Sequence, residues 1–199
     1  MARDMTQGNI TKHLLLYAGP LIIGDLFQQL YHTVDSVVVG QFRGKEALAA
    51  IGAAGTVMNI LIFMIAGISM GASILMAKYY GAKKYEDLKE EMATSIGAGL
   101  LLTLVLSLLF YAGSGLFIRL TQTPEEISHM AAGYLRIISA GLIFTFFYNI
   151  LAAARRAIGD SRTSLCVLIL TTIINVVLDI IFVRNLDLGV YGAAWATVI

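Results

Sequence analysis

The sequence predicts an all-α integral membrane protein, a lobe of six helices whose sixth is cut short by the end of the chain. Hydrophobic residues make up 58% of the 199 residues and charged residues 14%, where a soluble domain carries roughly 25% charged. Apolar runs long enough to cross a hydrocarbon core of about 30 Å recur along the chain, separated by short polar stretches. Nineteen glycines accompany only two prolines, and glycine lets membrane helices approach closely.

The remaining bulk properties narrow the field. A net charge of +1 gives no electrostatic case for a nucleic-acid partner. The single cysteine, Cys166, excludes an internal disulfide and a multi-cysteine metal centre. The polar tail over residues 1–13 lacks the layout of a cleaved signal peptide.

Six helices are expected, at about 12–40, 47–77, 93–117, 127–154, 165–183 and 191–199. The last is shorter than the twenty or so residues of a crossing, so the chain reads as ending inside the membrane, a fragment or a truncated gene product. The segment KKYEDLKEE (83–91) mixes both charges at helical spacing and reads as a solvated amphipathic lead into the third helix. Pro124 with two following glutamates starts the fourth, with Thr123 as the expected N-cap. With the N-terminus inside, nine Lys and Arg fall on the inner side and five on the outer, the five being Arg43, Lys45, Arg119, Arg136 and Arg184. That bias favours a multi-pass protein of the cell's inner (plasma) membrane with a cytoplasmic N-terminus.

Polar residues inside the apolar runs mark the candidate site. The run LCVLILTTIINVVLDIIFV (165–183) carries one charge, Asp179, with Asn175 one turn before it on the same face. A carboxylate at the centre of such a helix costs roughly 2.5–3.5 kcal/mol on insertion scales, so it needs a partner, a wet cavity or a task. The first helix has a stripe of its own: Asp25, Gln28, His32 and Asp35 follow gaps of three, four and three. That face looks into protein or water. Asp25, Gln28 and His32 are the candidate cavity-lining residues; the bland alternative is interhelical glue, polar side chains bonding across helices, and it weighs most for Gln28 and His32. Pro20 removes a backbone donor within the same helix; a passive kink and a hinge both fit. Asp35 and Asp179 come late in outward-running helices, and Thr197 early in an inward-running one, so the three share a depth. Asn149 lies only six residues before Arg155, and counting along the helix puts it nearer the inner side.

Two carboxylates in one low-dielectric pocket resist being charged together, so the pair can hold a shared proton. With both ionised, amide and hydroxyl oxygens beside them would complete a Na⁺ site at Asp35, Asn175, Asp179 and Thr197. Either ion changes the charge of the pocket and biases helix packing, as an antiporter requires. An enzyme is not expected, and no catalytic residue is assigned. The intramembrane aspartyl proteases carry a Gly-x-Gly-Asp element, whereas the contexts here are TVDS and VLDI; HExxH, Gly-x-Ser-x-Gly and P-loop motifs do not occur. A non-transporting membrane fragment is the remaining class, and it would make both acids replaceable.

The stretch QQLYHTVDSVVVG (28–40) resembles the first helix of the multidrug and toxic compound extrusion (MATE) transporters. GDSRT (159–163), GAKKYEDL (81–88) and NVVLDIIFVRNLDLGVYGAAWATVI (175–199) are similar to later segments of the same family. Order and spacing together carry the resemblance, which points to the bacterial subgroup like the DNA-damage-inducible protein F. It implies twelve helices in two six-helix lobes, of which this chain is the N-terminal one. It implies export of cationic or amphipathic organic compounds in exchange for H⁺ or Na⁺, with no other cofactor. The partners implied are the bilayer, the small-molecule substrate and a second, C-terminal lobe. By position it matches Asp35, Asn175, Asp179 and Thr197 to the coupling-ion site, adds Asn149, and matches Pro20 to a proline at which some members bend. His32 stands where asparagine is commoner. A lipid-linked oligosaccharide flippase of the same superfamily is the runner-up, and it would be expected to line its cavity with arginines.

Overall fold

The computed structural model describes residues 10–199. Helix α1 spans Ile10–Gly81, 72 residues. As one straight rod it would be about 110 Å long, more than three times the bilayer core. It is two arms, 10–43 and 45–81, joined at Gly44, whose φ of 81° and ψ of −173° leave helical space. Only glycine holds that conformation without strain. The expected loop between the first two helices is therefore a single residue, with Arg43 and Lys45 helical on either side of it.

Helix α2 runs Tyr85–Leu120, longer than expected because the charged lead is itself helical. Lys84 pairs with Asp87 at 3.3 Å and Lys89 with Glu86 at 2.9 Å, all solvated. Helix α3 (Glu125–Ala140) and helix α4 (Leu142–Ala157) replace the single fourth helix. They meet at a 50° bend at Gly141. Thr123 does not cap α3: Pro124 occupies that position without a side-chain bond, and Thr123 Oγ1 lies 2.8 Å from Thr121 Oγ1. Arg136 lies within α3, as expected from the fourth helix, and its Nε donates to Ser114 Oγ on α2 at 2.8 Å.

Helix α5 (Ser161–Asp179) starts on a working cap. The Asp160 carboxylate accepts from the Thr163 hydroxyl at 2.7 Å and from the Thr163 backbone N–H at 3.2 Å. The hydroxyl bond leads in holding the Asp160 carboxyl below the usual carboxylate range; burial opposes it, and the backbone bond and Arg155 assist. The conspicuous GDSRT element thus has a structural task at the start of α5. At its other end α5 passes straight into a π-helical turn, Ile180–Asn185, and helix α6 follows over Gly189–Val198.

One apolar core joins the second arm of α1 (Ala54, Leu61, Ile65) to α2 (Leu106, Phe110), α3 (Leu135), α4 (Phe146, Ile150) and α6 (Ala193). α6 sits close because α3 lacks bulk at Gly133 and the bend lacks it at Gly141. A Cβ at either position would come within 2.4 Å of Tyr191 or Val198 respectively. Around this core Leu15, Phe63, Leu101, Leu108 and Leu170 are exposed, the outer surface of a chain solvated by lipid. Among the described residues three helical segments are long and apolar enough to cross a membrane, four if the bent α3–α4 pair is one span, and the first of them contains both arms of α1.

Candidate functional site

Helix α5 is inverted relative to a helix of a soluble protein. Its buried residues are Ser161, Asn175 and Asp179, all polar, while Val167, Leu170, Ile173 and Val177 are exposed. A helix whose apolar residues already face lipid gains little by burying them. What it turns inward therefore reflects what the interior holds, and here that is Asn175 and Asp179.

The first arm of α1 meets them. Asp35 is buried, and Asp35 and Asp179 lie within electrostatic reach of each other. Five side-chain atoms of this group are buried without a hydrogen-bond partner among the described residues: Asp35 Oδ1, both oxygens of Asp179, and both polar atoms of Asn175. One unsatisfied buried polar atom costs about 1–3 kcal/mol, and more when it carries charge. The cluster is therefore poor glue, because its members do not bond one another through these atoms.

Thr197 joins from α6. It accepts a hydrogen bond from the Tyr31 hydroxyl at 3.0 Å and donates to the Ala193 carbonyl at 3.0 Å. Tyr31 is one turn before Asp35 on the same arm. Tyr134 of α3, fully buried, stands beside Thr197 and within electrostatic reach of both acids. Neither tyrosine stands out in the sequence, where an aromatic residue in an apolar helix reads as core.

A cavity of about 290 Å³ opens between the first arm, α4, α5 and α6; Asn175 and Thr197 line it, while Asp35 and Asp179 do not. Gln28, Tyr31, Thr145, Tyr148, Asn175 and Thr197 supply its polar wall, and Phe144 and Leu168 its apolar one. That mixture, mostly apolar with a few convergent polar groups, is the usual make-up of a small-molecule site.

The other sequence candidates fall elsewhere. Asp25 is exposed on the first arm. Asn149 donates from Nδ2 to the Thr145 carbonyl of its own helix at 2.8 Å, and among the described contacts none joins it to the acids. Pro20 is half-buried in a stretch whose backbone stays helical. The side chain of His32 lies outside the described residues. Among the described residues no group of three or more His, Cys, Asp or Glu gathers. The donors at the acid pair are hard oxygens, two carboxylates with an amide and a hydroxyl, which suit a proton or Na⁺.

The chain is 33% identical to the probable multidrug resistance protein YpnP of Bacillus subtilis, a match that covers all of this chain and 44% of YpnP. It superposes with a TM-score of 0.91 on a MOP superfamily transporter from Pyrococcus furiosus, at 29% identity, covering 98% of this chain and 43% of that one. It also superposes with a TM-score of 0.90 on an outward-facing multidrug resistance MATE family transporter, again at 29% identity, covering 96% of this chain and 42% of that one. The chain thus spans less than half the length of the relatives it matches. The MatE family profile matches residues 20–181, most of the chain, and the chain belongs to that family.

Proposed function

We propose that this lobe works in a cation-coupled antiporter that exports cationic or amphipathic organic compounds by alternating access. Asp35 and Asp179 bind the coupling ion, H⁺ or Na⁺, with the Asn175 amide and the Thr197 hydroxyl as neutral ligands. The observation that carries the reading is the set of five buried, unpartnered polar atoms on Asp35, Asn175 and Asp179 beside a drug-sized cavity that Asn175 and Thr197 also line. An ion would supply the missing interaction, and its release would leave a carboxylate pair that favours a different packing or a cationic substrate. The names of the relatives, a multidrug resistance protein among them, agree with drug export. The setting is a cell's inner membrane with the N-terminus on the cytoplasmic side, and the protein is not an enzyme.

The neighbouring cavity gives the exchange a simple form. A substrate cation lodged against Asn175 and Tyr31 competes electrostatically with the ion held by the acids, so each drives the other out. The test is gradient-driven dye efflux by the full-length transporter carrying Asp179→Asn. Efflux is expected to fall to background while the protein still inserts in the membrane. Efflux at the wild-type rate would mean that Asp179 does not couple the ion.

A further inference from the structure

The two helices that carry the acids are tied together a short way beyond them. Arg43, the last residue of the first arm before the Gly44 turn, donates from Nη2 at 2.6 Å and from Nε at 3.1 Å to the Val183 carbonyl. The same guanidinium pairs with the Asp187 carboxylate. In the reverse direction Arg184 stacks over the Phe42 ring, 5.3 Å from its centroid. Consecutive residues of one strut, Phe42 and Arg43, thus interlock with consecutive residues of the other, Val183 and Arg184.

Backbone geometry makes this lock possible. Val183 lies in the π-helical turn that follows Asp179. Leu186 N–H bonds back to the Ile181 carbonyl at 2.9 Å and Leu188 N–H to Phe182 at 3.0 Å. The Val183 carbonyl is one of the last in its helix, where the chain offers no further helical amide. The bidentate guanidinium takes that place. Val183 is itself fully buried and lies one turn past Asp179, while Asp35 lies about two turns before Arg43. The lock therefore sits a turn or two from each carboxylate.

We propose that Arg43 is a positioning residue for the coupling ion. By holding the Val183 carbonyl it fixes how α5 is set against α1, and so the separation at which Asp35 and Asp179 can share one ion. This role rests on the coupling function proposed above. The Asp187 pair contributes little to it, because that carboxylate is 85% exposed and water screens such pairs. The Val183 bond is the working part. The titratable groups facing the acids are Tyr31 and Tyr134, and those at the lock are Asp187 and Arg184.

The experiment uses the full-length transporter in proteoliposomes and titrates the driving ion, H⁺ or Na⁺, at fixed dye, then the dye at saturating ion. Arg43→Gln is expected to raise the half-saturating ion concentration roughly tenfold, the scale on which outer partners tune an ion site. The KM for the dye should not change. Arg43→Lys keeps a donor for Val183 and should restore part of the ion affinity, and Asp187→Asn should behave as wild type. Hydrogen exchange at the Leu186 and Leu188 amides should quicken in Arg43→Gln. Unchanged ion dependence in Arg43→Gln, or an equal rise in the KM for the dye, overturns the positioning role. Wild-type efflux that ignores both gradients overturns the coupling function and this role with it. Wild-type dependence left intact by Arg43→Gln overturns this role alone.

Discussion

On α2, Thr103 donates to the Gly99 carbonyl at 2.7 Å, Ser107 to the Ser139 carbonyl at 2.7 Å, and Ser114 accepts from Arg136 at 2.8 Å. Across the bundle, Asp35, Asn175 and Asp179 are just as buried and leave five polar atoms without partners. Both regions lie in a low-dielectric interior, where an unmet polar group is costly. The α2 residues are glue: each hydroxyl is matched to a group on its own or a neighbouring helix. Those five atoms of the acid region are matched to nothing among the described residues. Ser69 and Ser139 also keep an unpartnered hydroxyl oxygen, but these carry no charge and cost far less than a carboxylate. The contrast separates polar residues that hold the lobe together from polar residues left unmet, as the proposed ion site requires.

The largest expected effect breaks the comparison at the acids. Asp35→Asn or Asp179→Asn should reduce gradient-driven efflux to background while the melting temperature stays level or rises. Replacing an unpartnered buried carboxylate with a neutral amide of the same shape removes the cost of burying a charge. A fall in melting temperature with efflux retained would make the acids glue after all.

Next in size is Pro20→Ala. If the helix switches state at the carbonyl that Pro20 leaves without a donor, the alanine variant should turn over more slowly at unchanged drug affinity. Equal turnover, measured under a saturating gradient, would assign Pro20 to a passive kink. Ser107→Ala works on the other side of the comparison. It should lower stability by about 1 kcal/mol and leave efflux at the wild-type rate, and lost efflux would show that the α2 contacts also serve the ion site.

The smallest effect belongs to Asp160→Asn, because asparagine also caps helices well. The folded-state pKa of Asp160 is depressed. Its charge therefore adds stability above the usual carboxylate pKa, and that increment is lost as the pH falls through the folded value. Between about pH 6 and pH 3 the wild type should lose slightly more melting temperature than Asp160→Asn. Identical pH profiles would remove the charge from the account of this cap.

Much of this contrast was legible in the sequence. Apolar runs announce the helices because lipid tolerates nothing else, and Asp35, Asn175 and Asp179 stand out against them for the same reason. What the pattern hides is how elements bend and meet. Gln41 to Glu46 reads as a polar loop, yet only Gly44 leaves the helix, since polar residues at a membrane surface are content in helical form. The Gly141 bend leaves no trace because glycine is common in straight membrane helices. Arg136 falls inside the expected fourth helix, but no local pattern says that Ser114 of α2 holds its guanidinium. Tyr31 and Tyr134 join the site through contacts distant in sequence, 166 residues in the case of Tyr31 with Thr197, and no local periodicity carries such information.

In the proposed function the unpartnered carboxylates bind the coupling ion. Direct ion binding to the purified full-length transporter tests it most closely, by counting protons taken up or Na⁺ bound at equilibrium without any substrate. The wild type should bind an ion that is lost in Asp179→Asn and in Asp35→Asn, with both variants folded. Undiminished binding in both variants would contradict the claim and place the ion elsewhere in the molecule.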